Sequence, residues 1–191
     1  MKIVEVLAPF TGSWQGHNLF RFMPTDDYQE SVSAATVAVT AKDYVTIEYT
    51  WSHEGQPQNG LLLLGSGPAD SGPADSGPAD SGPAGDAYAA GEATAAGEAP
   101  PSDSDASGTG ATAVWVDSFH AAPQWLTLSG TIDDDGVVRL ACTYPAPEGP
   151  DWGWQIHVEP GSGNGGRITM HNLVPGYDPY QVVEATYRRQ A

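Results

Sequence analysis

The strongest constraint on this chain is a period of two. In residues 44–51, YVTIEYTW, Val45, Ile47, Tyr49 and Trp51 alternate with Tyr44, Thr46, Glu48 and Thr50. Strict alternation sends one set of side chains to each face of a strand and does not fit the 3.6-residue helical repeat. The same pattern runs from Trp14 to Phe22, with Trp14, Phe20 and Phe22 on one parity and Gln15, His17 and Arg21 on the other. It returns with Trp152, Trp154, Ile156 and Val158 set against Gln155, His157 and Glu159. Turn-forming residues separate such segments: Pro24-Thr25-Asp26-Asp27, Ala41-Lys42-Asp43, Glu54-Gly55, Asp133-Asp134-Asp135-Gly136, and the Gly/Ser/Asn run 161–166. Ten strands are predicted, over 10–22, 28–40, 44–51, 58–64, 113–120, 124–132, 137–144, 152–159, 167–173 and 180–189. Pro9 keeps the apolar piece before the first strand from becoming a long helix. Sequential strands joined by short turns predict an all-β fold, a single antiparallel up-and-down β-barrel, which also leaves no exposed sheet edge.

One segment does not belong to this pattern. From Ser66 the chain reads SGPAD three times and then SGPAG, followed by Gly/Ala/Glu/Ser-rich sequence to Thr112. With one aromatic, Tyr88, and few branched apolar residues, it has too little to bury and is expected to be a disordered insertion in one hairpin loop. The organisation is therefore 1–64 as the first half of the barrel, 65–113 as the insertion, and 114–191 as the second half. The repeat reads either as a tandem expansion in a tolerant loop or as an acidic tether for a partner.

Charge and cysteine usage narrow the partners. The chain has 24 acidic and 7 basic residues, a formal charge of −17, and eight of the acids lie in the insertion. An acidic surface argues against nucleic acid and against anionic membranes, which both select Lys/Arg patches. The single cysteine, Cys142, excludes an internal disulfide framework and a multi-cysteine zinc site, and in VVRLACTY it reads as a small buried hydrophobe. No stretch approaches the ~20 apolar residues of a membrane helix, and the N-terminus lacks a signal-peptide core, so a soluble cytoplasmic protein is expected. No motif demands a cofactor or a metal. The acidic triplet 133–135 lacks the spaced ligands and closing Glu of a calcium loop and reads as a hairpin turn.

Gly12-x-Trp14 after a short N-terminal plug, with the basic close Arg188-Arg189, resembles the calycin superfamily of lipocalins, fatty-acid-binding proteins and nitrobindins. That resemblance implies that Trp14 sits at the closed end of the barrel with a guanidinium, from Arg188 or Arg189, packed across it. FTGSWQGHNLFRFMPTDDY, AVWVDSFH, DWGWQIHVEPG and ITMHNLVPGYDPYQVVEATYRR look more specifically like a bacterial calycin-type family catalogued as the domain of unknown function numbered 1579. Nitrobindins hold haem iron through a His on or near the closing strands. The last strand here, YQVVEATYRR, has none, so a haem role would fall on His157 or His171.

Residues that could carry chemistry are His17, His53, His120, His157 and His171, with the run Asp117-Ser118-Phe119-His120. His157 and His171 lie in consecutive strands. If inward-facing, they would share the lumen with Glu184 or Gln155 and could bind a metal or act as acid and base; otherwise they are surface histidines. Asp117 and Ser118 point to opposite faces of one strand, so this run forms no hydrolytic triad and reads as a strand-end hydrogen-bond network near the mouth. A ten-stranded barrel is wider than its side chains readily fill, and six Trp suggest an aromatic-lined cavity. The function expected is non-catalytic binding of a small apolar or aromatic molecule in the barrel cavity, with Trp115, Asp117, His120, Trp154, His157 and His171 as lining or rim residues. The alternatives are an enzyme with a histidine general base, a haem or metal binder, and an interaction protein acting through the repeat.

Overall fold

A computed structural model describes residues 1–67, 109–146, 148–161 and 164–189. The chain enters through a single-turn helix, α1 (Ile3–Val6), and a 3₁₀ turn at Ala8–Phe10. Ten strands follow: β1 (Gly12–Phe20), β2 (Gln29–Thr40), β3 (Tyr44–His53), β4 (Gln56–Ser66), β5 (Thr109–Asp117), β6 (Leu126–Ile132), β7 (Val138–Tyr144), β8 (Trp152–Glu159), β9 (Gly165–Leu173) and β10 (Tyr180–Arg189). Each pairs antiparallel with the next, and β10 returns to β1 to close the barrel, in register from Trp14 opposite Arg189 to Phe20 opposite Val183. The all-β up-and-down barrel read from the alternation is the fold observed. No helix among the described residues is long and apolar enough to cross a membrane.

The apolar parity of each strand faces the interior. Trp14, Phe20, Ile47, Leu62, Leu64, Trp115, Leu128, Leu140 and Ile156 are all essentially inaccessible, and each contributes roughly 1.5–3 kcal/mol by leaving water. The N-terminal segment plugs one end. Ile3, Leu7 and Phe10 are fully buried, and the plug is tied to the rim where the Ile3 N–H donates to Ser66 Oγ at 3.0 Å. The Trp14 indole N–H donates to the Phe10 carbonyl at 2.7 Å, and the Arg189 guanidinium carbon lies 4.7 Å from the Trp14 ring centre. Arg189, not Arg188, is thus the residue over Trp14: it is the direct cross-strand partner and shares the inward parity of Tyr187, whereas Arg188 has the outward one.

Strand ends differ from the sequence reading in two informative places. β5 starts at Thr109, with Thr112 opposite Gly65 and Ala111 opposite Ser66, so 109–112 belongs to the sheet and not to the insertion. β5 also ends at Asp117 and not at 120, because the backbone N–H groups of Phe119 and His120 donate to Asp117 Oδ1 at 2.8 and 2.9 Å and turn the chain out of the strand. Residues 68–108, the greater part of the insertion, lie outside the described residues. Cys142 is buried, and burial pushes its thiol up to about 11.

Candidate functional site

The unplugged end of the barrel carries the chemistry. Three strands place its central group: Tyr49 on β3 stands opposite Gly60 on β4, and Gly60 opposite Asp117 on β5. Because Gly60 has no side chain, the Tyr49 ring lies across it, where a Cβ would collide with the ring carbons and hydroxyl. The Tyr49 hydroxyl then donates to Asp117 Oδ2 at 2.8 Å and accepts from the Trp115 indole N–H at 2.8 Å. Asp117 Oδ1 takes the two turn N–H groups and lies 3.1 Å from His120 Nδ1. Burial raises the carboxyl pKa of Asp117. The hydrogen bond and charge of His120, with the two backbone donors, outweigh that effect and hold it below the ordinary carboxylate value. Tyr49 is pushed well above the usual phenol range by burial and by the Asp117 charge.

A carboxylate held ionised only accepts, so the His120 Nδ1 facing it carries a proton, and Nε2 is the ring nitrogen turned away from Asp117. Among the described residues Nε2 has no hydrogen-bond partner, and neither do the buried Trp154 Nε1, Trp51 Nε1 and Asn18 Nδ2. Trp154, Trp51 and Asn18 are more than nine-tenths buried on inward parities. A buried donor or acceptor left unpaired costs roughly 1–3 kcal/mol, so three on Trp51, His120 and Trp154, whose rings pack together, mark a place suited to another polar group.

Aromatic rings surround these atoms. His120 stacks on Trp51 (centroids 5.4 Å, 20°) and lies 5.6 Å from Trp154, which stacks on Trp115 (5.6 Å, 10°). Trp115, His120, Ala121, Gln124, Leu126, Tyr144, Pro145 and Trp154 line a cavity of about 410 Å³. On its far side the Tyr144 hydroxyl donates to Asn172 Oδ1 at 2.8 Å, and Asn172 Nδ2 to the Tyr180 hydroxyl at 3.0 Å. Burial, with a smaller push from Tyr180, raises the Tyr144 phenol to about 12 despite the opposing Asn172 hydrogen bond.

Trp115, Asp117, His120 and Trp154 therefore converge at the mouth. His157 and His171 do not, and the expectation that they line the lumen is corrected. Ile156, Val158, Ile168 and Met170 take the interior parity, which leaves both histidines, with Gln155 and Glu184, on the outer face. There their rings lie 5.0 Å apart, and Arg139 Nη1 is 3.3 Å from His157 Nδ1. Burial lowers both imidazole pKa values, with His171 and then Arg139 adding to the effect at His157, and Arg167 at His171. Ser118 also faces outward, where its hydroxyl donates to Gln58 Oε1 at 2.6 Å. Among the described residues no three His, Cys, Asp or Glu side chains converge as a metal site.

Sequence reasoning left out Tyr49, Trp51, Gly60 and Tyr144. Their inward parity was legible for Tyr49 and Trp51, and a glycine inside a strand is a signal of close approach. What connected them to Asp117 was the hairpin register, which no residue pattern states.

No family model matches the chain, and no curated protein matches it. Among solved structures the chain is similar to one titled "Crystal Structure of Rv2717c from M. tuberculosis", with 15% sequence identity and a TM-score of 0.53 over 100% of this chain and 99% of that one. At that identity the likeness is one of fold.

Proposed function

We propose that this barrel binds a small, planar, apolar or aromatic molecule at its unplugged mouth, without covalent chemistry, and that it belongs to the calycin superfamily within the bacterial family of unknown function 1579. The observation that carries the binding reading is the pair of unpartnered polar atoms, Trp154 Nε1 and His120 Nε2, on residues that line an aromatic cavity. A mostly apolar pocket with a few converging polar groups is how small-molecule sites are built. The family reading rests on the Gly12-x-Trp14 motif with Arg189 over Trp14, in a closed ten-strand barrel.

Native mass spectrometry of freshly purified protein, followed by the same sample denatured, tests the binding. An excess mass that disappears on denaturation is expected. A bare polypeptide mass that persists after incubation with a panel of planar aromatic compounds contradicts it.

A further inference from the structure

Two residues that line the mouth cavity, His120 and Trp154, each carry a buried polar atom without a hydrogen-bond partner among the described residues. With Nδ1 donating a hydrogen bond to Asp117, His120 Nε2 accepts whenever the ring is neutral, and Trp154 Nε1 donates. Their ring centroids are 5.6 Å apart. A hydroxyl is the group that suits both, since it donates through its hydrogen and accepts through its oxygen. The imidazole is also backed by a buried carboxylate, which stabilises the imidazolium if Nε2 takes a proton, and the surrounding rings keep the site dry enough for that pairing to count.

We propose that the mouth takes a planar aromatic or conjugated molecule with an acidic hydroxyl, a phenol or an enol, and ionises it in place at His120. This rests on the binding reading above. In the step, the ligand O–H bond breaks and an N–H bond forms at His120 Nε2. The electron pair stays on the ligand oxygen, which remains against the imidazolium and the Trp154 indole N–H, so no further reactant is required. Asp117 is a positioning residue: it fixes the tautomer and holds the positive ring. The titratable groups that face His120 are Asp117 on β5, Tyr49 on β3 behind it, His53 on β3 across Phe119, and Tyr144 on β7 across the cavity. The remaining packing on the ring comes from Phe20, Trp51, Trp115 and Trp154, which carry no charge.

The test uses the full chain and 4-nitrophenol, whose phenolate is yellow and whose neutral form is not. Tryptophan fluorescence reads binding, and visible absorbance of the bound probe reads its ionisation across pH. In the wild-type protein, fluorescence is expected to change saturably, and the bound phenol to ionise one to two pH units below the free probe, about ten- to a hundredfold more phenolate at a given pH. His120→Gln is expected to bind the probe with the midpoint of free solution. Asp117→Asn is expected to return the midpoint part of the way at equal saturation. Because Asp117 accepts several buried hydrogen bonds and their loss threatens folding of that variant, a second readout uses the wild type alone: the imidazole nitrogen resonances of His120 should pass from the neutral to the doubly protonated form as probe is added. Bound probe with the neutral spectrum, or the same shifted midpoint in His120→Gln, overturns the ionisation. The absence of any saturable fluorescence change overturns the binding reading itself.

Discussion

Two side chains at opposite ends of the barrel show how much single residues decide. At the mouth, Tyr49 joins Trp115 to Asp117, so Tyr49→Phe leaves a buried carboxylate oxygen and a buried indole N–H without partners. The expected cost is about 2 kcal/mol, read as a lower urea midpoint at unchanged slope. At the plugged end, the Arg189 guanidinium covers the Trp14 ring and lies within 3.4 Å of the Pro9 and Thr11 carbonyls. Arg189→Ala is expected to lose ~1 kcal/mol in the same measurement, and Arg188→Ala, on the outward parity, close to nothing. The pairing of a basic residue with Trp14 was legible from the motif. The choice between the two arginines was not, because it depends on a register that puts Arg189 directly opposite Trp14.

Elements carry the next level of information, and here alternation succeeded or failed for one physical reason. The apolar parity of a strand faces the packed interior, so Trp154, Ile156 and Val158 pointing inward requires His157 to point out. Placing His157 and His171 in the lumen ignored that rule for the sake of their chemistry. β9 offered little correction, since Thr169 on the outward parity is buried too and blurs the pattern. On the outer face both imidazoles are held below the ordinary value near 6.5, so the unfolded chain binds their protons first as pH falls. Their contribution to stability is complete above pH 6.5 and is lost as pH drops through the depressed folded values. A His157→Asn, His171→Asn double variant should therefore show a shallower acid-side fall in urea midpoint than the wild type. The strand segment 109–112 escaped notice because its Gly, Ala and Thr match the insertion in composition, and only the ladder to β4 sets it apart. That hairpin region also contains Gly60, whose missing side chain admits the Tyr49 ring. Gly60→Val forces the ring aside, breaks its bond to Asp117, and is expected to cost about 2–3 kcal/mol in urea denaturation.

For the whole molecule, the barrel divides the labour between its ends. The plug, Trp14 and Arg189 close one end, while the strand termini at the other gather Trp51, Trp115, His120 and Trp154 into an aromatic rim with unpaired polar atoms. Closure and topology follow from hairpin-length turns and were legible. The gathering of these residues at one end was not, because it depends on the register of several strand pairs. The most direct test of this account is a two-dimensional nitrogen–proton spectrum of the tryptophan indoles during titration with 4-nitrophenol. The Trp154 indole resonance should move most, while that of Trp14, already bonded to the Phe10 carbonyl at the plugged end, should stay in place. If Trp154 does not move, or if the shifts are confined to the exposed Trp125, the mouth is not the binding site.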